Sequence, residues 1–158
     1  MIIRSEDLKE VCSTILQAVD SSELVNITES VALKIVDHNL LFSVTNGDYY
    51  AEIRLPVDTD EQFNAVVKAK LFLKLIAQIT TECINLEIKD NFMLVDGNGK
   101  YKIPLVYDDD KMLEIKPITI DNPTVTFTID RTALKSIAVY NALEVEKSST
   151  ASNLAQKL

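Results

Sequence analysis

The sequence predicts an α+β protein in which short antiparallel strands come in groups, with one helix to each group. Three observations carry that expectation. β-prone runs are bounded by Asn, Asp and Gly turns. Three amphipathic helical stretches each follow a strand. The composition, 47% apolar and 25% charged over 158 residues, is that of a folded chain long enough for one domain, or for one domain and part of another. A doubly wound parallel sheet would instead alternate strand and helix singly.

In chain order, residues 5–19 form the first amphipathic helix. Ser5 stands at its N-cap, and Glu6 and Asp7 lie in the first turn, where the macrodipole favours anions. Leu8, Val11, Cys12, Ile15, Leu16 and Val19 recur at helical spacing and form its buried stripe. A polar stretch, 20–28, follows. Strands are predicted at 31–36, 40–44 and 49–57, separated by Asp37-His38-Asn39 and by the Asn46-Gly47 turn. The strand at 64–68 runs straight into a helix at 69–80. Strands at 83–89, 92–95 and 100–107 come next, joined by Asp90-Asn91 and by Asp96-Gly97-Asn98-Gly99. Residues 108–111 read as a solvated acidic loop. A strand at 124–129 leads to Asp130 as N-cap and a helix at 131–143, and the tail from 144 is polar.

The helices repeat. Leu8-Lys9-Glu10-Val11, Leu73-Lys74-Leu75-Ile76 and Leu134-Lys135-Ser136-Ile137 occupy one place in three βα units. Their lysines recur at a near-constant spacing of a little over sixty residues, too long for an ordinary solenoid unit. The repeat also places charge. Lys70, Lys74 and Gln78 share one stripe, and Arg131 and Lys135 take the same two positions in the third helix. In the first helix only Lys9 persists. The chain as a whole carries 16 basic against 24 acidic residues, a net charge of −8, so basic character is local. Lys70 and Arg131 oppose the macrodipole at their helix N-termini, so local helix stability does not account for them. A row of Lys and Arg that touches phosphates without reading bases binds nucleic acid in a salt-dependent, sequence-independent way.

Four stretches together resemble the bacterial DNA polymerase sliding clamp, the beta subunit of the replicative polymerase, or a phage or mobile-element relative of it. They are Val31-Ala-Leu-Lys-Ile-Val-Asp-His-Asn-Leu-Leu-Phe-Ser-Val-Thr-Asn-Gly-Asp48, Val66-Val-Lys-Ala-Lys-Leu-Phe-Leu-Lys-Leu-Ile76, Met93-Leu-Val-Asp-Gly-Asn-Gly-Lys-Tyr-Lys-Ile103 and Phe127-Thr-Ile-Asp-Arg-Thr-Ala-Leu-Lys-Ser-Ile137. Their order and spacing carry the resemblance. It implies a DNA-clamp fold of repeated βαββ(β) halves, with antiparallel sheets outside and two helices packed on one face. Residues 1–120 would be a first clamp domain and 121–158 the incomplete start of a second. It further implies a ring-forming homodimer that encircles duplex DNA in replication, a non-enzymatic processivity factor with a polymerase and a clamp loader as partners. On this reading Lys9, Lys68, Lys70, Lys74, Arg131 and Lys135 face the DNA. Leu75, Lys100, Tyr101 and Ile103 lie at the edge that meets another subunit, which is where an exposed strand needs a partner. The chain reads as a fragment of a longer clamp or a short form of one. The competing reading is an α+β protein-interaction module whose basic helices bind an acidic protein.

Other constellations carry no chemistry. His38, the one histidine, sits in a hairpin turn without a nucleophile–acid set around it. Asp108-Asp109-Asp110 lacks EF-hand spacing, and Gly97-Asn98-Gly99 has no helix after it to cradle a phosphate. Cys12 and Cys83 lack zinc spacing and read as buried thiols of a reducing, cytoplasmic setting. Tyr49 and Tyr50 are adjacent and face opposite sides of a strand, one of them toward the core. No apolar run approaches a membrane span, so no membrane is expected; with neither zinc nor EF-hand spacing present, no metal or cofactor is expected.

Overall fold

A computed structural model describes residues 1–19, 25–59, 61–118, 121–122 and 124–138. The chain divides into two compact units, Met1–Ile118 and Thr119–Leu158.

The first unit runs β1 (Ile2–Arg4), α1 (Ser5–Ile15), a 3-10 turn at Leu16–Ala18, β2 (Ser30–Val36), β3 (Asn39–Thr45), β4 (Tyr50–Pro56), β5 (Asn64–Lys68), α2 (Ala69–Gln78), β6 (Cys83–Lys89), β7 (Phe92–Asp96) and β8 (Lys100–Pro104). A small hairpin, β9 (Tyr107–Asp108) and β10 (Lys111–Met112), closes the series. Two four-stranded antiparallel sheets result, in the orders β1-β6-β7-β8 and β4-β3-β2-β5. Each half of the unit is therefore βαβββ, and each lends its first strand to the other half's sheet. β1 pairs with β6, placing Ile3 opposite Ile84, and β5 pairs with β2, placing Val67 opposite Val31. Beyond β8 the chain steps across to the other sheet. Leu105 bridges to Val67, and the Val106 amide donates to the Val66 carbonyl at 2.7 Å.

The hydrophobic pattern explains this. β3 alternates Leu40, Phe42 and Val44 toward the core, and β6 does the same with Ile84 and Leu86. α1 buries Leu8, Val11, Cys12 and Ile15, and α2 buries Phe72, Leu73 and Ile76, so the two helices share one core with both sheets. Turns are supplied by residues that tolerate positive φ: Asp37 and His38 at φ 48° and 58°, Asp90 at 54° and Gly47 at 96°. Gly97 is needed for a different reason, since a Cβ there would meet the Ile79 side chain at 2.8 Å.

Several expectations are corrected. Ser5 is not the N-cap; Arg4 holds that place, and Ser5 is the buried first helical residue, its Oγ donating to the Thr81 carbonyl at 2.5 Å. The strand expected to run from 100 to 107 ends at Pro104, because the next residues change sheet. The loop at 108–111 is instead the turn of the β9–β10 hairpin. Cys83 is exposed, because it opens β6 on the outward side of the alternation. Neither tyrosine reaches the core: Tyr49 is exposed and donates to the Ala18 carbonyl, while Tyr50 is half-buried among polar groups.

In the second unit, residues 131–138 are helical. Asp130 caps them, accepting from the amides of Thr132 at 2.8 Å and Ala133 at 3.3 Å, and those bonds hold its carboxyl below the usual range. The strand expected at 124–129 is not formed: those residues make no ladder, and Val125 and Phe127 stand 74% and 76% exposed. Alternation alone does not make a strand without a partner to pair with. The expected helical residues 139–143 and the tail 144–158 lie outside the described residues.

Candidate nucleic-acid interface

α1 and α2 lie side by side. Their seam is a small apolar cleft of about 250 Å³ lined by Lys9, Cys12 and Ser13 of α1, Leu16 of the 3-10 turn that follows it, and Leu73 and Ala77 of α2. Burial drives the Cys12 thiol up to about 12, so it stays protonated there.

The backbone fixes how the halves correspond. The Ser5 amide donates to the Glu82 carbonyl and the Ala69 amide to the Glu29 carbonyl, both at 2.8 Å. Arg4 faces Cys83 across its ladder as Lys68 faces Ser30. Ser5 thus corresponds to Ala69, Leu8 to Phe72, Cys12 to Ile76 and Ile15 to Ile79, all buried pairs. The seam obeys the same rule, with Lys9 matching Leu73 and Ser13 matching Ala77. The Leu-Lys string places the repeat one residue out of register. Lys74 corresponds to Glu10, and Lys70 to Glu6.

This arrangement places the basic residues differently. Lys70 and Lys74 are exposed on the solvent stripe of α2 and make no ion pair among the described residues. α2 has no acidic residue in its first turn, so Lys70 meets the positive end of the helix dipole unrelieved. Lys9 is half-buried at the seam. Lys68 is engaged within the domain: its Nζ sits 2.6 Å from Glu29 Oε2 and 2.8 Å from Asn26 Oδ1. Arg131 and Lys135 are exposed, one turn apart on the helix of the second unit.

The residues expected at a subunit edge separate in the same way. β8 is the terminal strand of its sheet. Its alternation turns Lys100 and Lys102 outward, leaves Tyr101 half-buried, and sinks Ile103 to 2% exposure in the core. The Ile103 side chain is therefore a core group rather than an edge contact. Leu75 is half-buried and packs on the core.

A second feature lies on the sheet face away from the helices. A cavity of about 330 Å³ is bounded by Lys34, Ser43, Tyr50 and Glu52 on the strands and by Met112 and Glu114 of the covering segment. Tyr50 OH donates to Glu52 Oε2 at 2.6 Å and lies 2.9 Å from Ser43 Oγ; Arg54 Nε donates to Glu52 Oε1 at 2.9 Å. The tyrosine hydrogen bond, with help from Arg54, holds the Glu52 carboxyl below its ordinary range, and burial raises the Tyr50 phenol. Among the described residues no group of His, Cys, Asp and Glu is placed to hold a metal ion. No described helix is long and apolar enough to cross a membrane.

Residues 1–114 match the family model for the N-terminal domain of the DNA polymerase III beta subunit. The chain belongs to that family. Its fold is that of the beta clamps. It is similar to the DNA polymerase III subunit beta of Pseudomonas aeruginosa, with a TM-score of 0.71 at 17% identity over 85% of this chain and 36% of that one. The Helicobacter pylori beta clamp bound to a DNA ligase peptide gives 0.64 at 19% identity, over 75% and 33%. The Thermotoga maritima beta subunit gives 0.63 at 15%, over 75% and 32%. This chain thus spans about a third of the length of the solved clamps it matches. No curated protein sequence matches it.

Proposed function

We propose that this chain is the N-terminal portion of a DNA sliding clamp, a non-enzymatic processivity factor of replication that encircles duplex DNA without reading its sequence. The observation that carries the reading is the exposed Lys70–Lys74 stripe on a helix of a beta-subunit domain, without an ion pair among the described residues and with Lys70 opposing the helix dipole. Cations placed at a cost to their own helix have a use elsewhere, and phosphate contact fits them. Arg131 and Lys135, exposed one turn apart on the helix of the second unit, are further phosphate contacts on this reading. Lys9, half-buried at the seam, stands back from the basic face, and Lys68 serves the fold through Glu29. Ring closure requires another clamp subunit at the β8 edge, with Lys100, Tyr101 and Leu75 nearest to it. A polymerase and a clamp loader are the partners, in the cytoplasm.

The test is topological. A ring assembled with this domain stays on nicked circular duplex and slides from linear ends, with retention lost at high salt. An interaction module for an acidic protein ignores the difference, and that indifference would exclude the clamp reading. Reversing both charges with K70E/K74E weakens association with duplex of any sequence while the fold persists. Unchanged association would remove α2 from the interface.

A further inference from the structure

The exposed face of the helix pair is charge-antisymmetric. At matching backbone positions α1 carries Glu6 and Glu10 where α2 carries Lys70 and Lys74. All four side chains are exposed, and none is ion-paired among the described residues; the other acidic side chain of that turn, Asp7, is taken by Arg4 in a two-point bridge at 2.8 and 3.0 Å. The helix dipole explains Glu6, which lies in the first turn of α1. It does not explain Glu10, which lies past that turn, or Lys70, which opposes it.

We infer that this domain meets the duplex through α2 alone, and that Glu6 and Glu10 form a repulsive shoulder that holds the phosphate backbone off α1. The inference rests on the clamp reading and adds a one-sided pose to it. Packed helices stand about 8–10 Å apart, close to the Debye length of about 8 Å at 0.15 M salt. A phosphate strand lying on α1 meets two carboxylates at contact distance. The same strand on α2 meets two ammonium groups, and the carboxylates only through a screening layer. Both terms push the strand the same way, so contact is biased toward the second helix without any base being read.

The experiment measures binding of the full chain to a labelled duplex of arbitrary sequence across a sodium chloride series. Four proteins are compared: the unaltered chain, E6Q/E10Q, E10Q alone, and K70Q/K74Q. E10Q alters no first-turn charge, so it keeps the test valid if the double variant folds poorly. Removing the shoulder should tighten binding by about threefold or more near 50 mM salt, and the gain should vanish by about 0.3 M as screening takes over. K70Q/K74Q should weaken binding and reduce the slope of log K against log salt by about two. If K70Q/K74Q weakens binding while both glutamate variants leave it unchanged, the shoulder is refuted and the clamp reading stands. If the glutamate variants bind more weakly, α1 touches the duplex after all and the inference is likewise refuted. If none of the three variants moves binding, the helix face is not a DNA surface, and both readings go.

Discussion

Cys12 and Cys83 are chemically identical and differ in which way the backbone turns them. Cys12 packs between the helices with its thiol pushed up to about 12, whereas Cys83 opens a strand on the outward side. An aromatic disulfide reagent should therefore titrate one thiol quickly in the native protein and the second only after denaturant is added; two fast thiols would contradict the packing. Phe72 is fully buried at the centre of α2's core face. Phe72→Ala should cost about 3–5 kcal/mol in urea unfolding, from lost transfer energy and the cavity left behind. Glu52 gives a pH signature. Its carboxyl is held below the ordinary 4.5, first by Tyr50 and then by Arg54, so the folded state favours the ionised form. The stability it contributes is complete above about pH 5 and is lost as pH falls through its folded pKa. Glu52→Gln should flatten that part of the acid limb of a stability–pH curve and leave the neutral region nearly unchanged in slope.

At the level of elements, the strands show how far pattern reading reaches. β5 and β6 fall at the expected residues because an apolar run and its turn signals agree there. The strand at 100–107 reads too long because nothing local marks the point where Leu105 leaves one sheet for the other. The repeat was legible, but its register was not. Leu-Lys-x-Val aligns side-chain types, whereas the halves are aligned by where each helix's first amide finds its carbonyl. One residue of slip moves Glu6 and Glu10 into the places of Lys70 and Lys74 and reverses the electrostatic meaning of α1. The dipole argument makes a prediction at this scale. Lys70→Glu should stabilise the domain by about 0.3–1 kcal/mol at low ionic strength, seen as a raised Tm, while weakening duplex binding. A drop in both would mean that the lysine is structural.

At the scale of the whole molecule, composition hides the interface. A net charge of −8 argues against a nucleic-acid protein, yet phosphate contact needs only a local field. On the proposed reading that field comes from Lys70 and Lys74, exposed on one helix face and without an ion pair among the described residues, while Lys68 is neutralised at home by Glu29. Lys68→Ala should therefore lower thermal stability and leave the salt slope of duplex binding nearly unaltered, the reverse of K70Q/K74Q. A slope that falls by about one would place Lys68 on the phosphates.

What the sequence determined by itself is the material of this protein: α+β class, most strand positions, the apolar stripes and the cationic stripe of α2. These follow from periodicities of two and 3.6, which are local properties of a chain. Tertiary structure alone decided that each half lends its first strand to the other's sheet and that Ile103 points inward. It also decided that Lys68 is already paired and that acid stands opposite base across the two helices. Those outcomes depend on contacts between residues far apart in the chain, and no local pattern encodes which amide will meet which carbonyl.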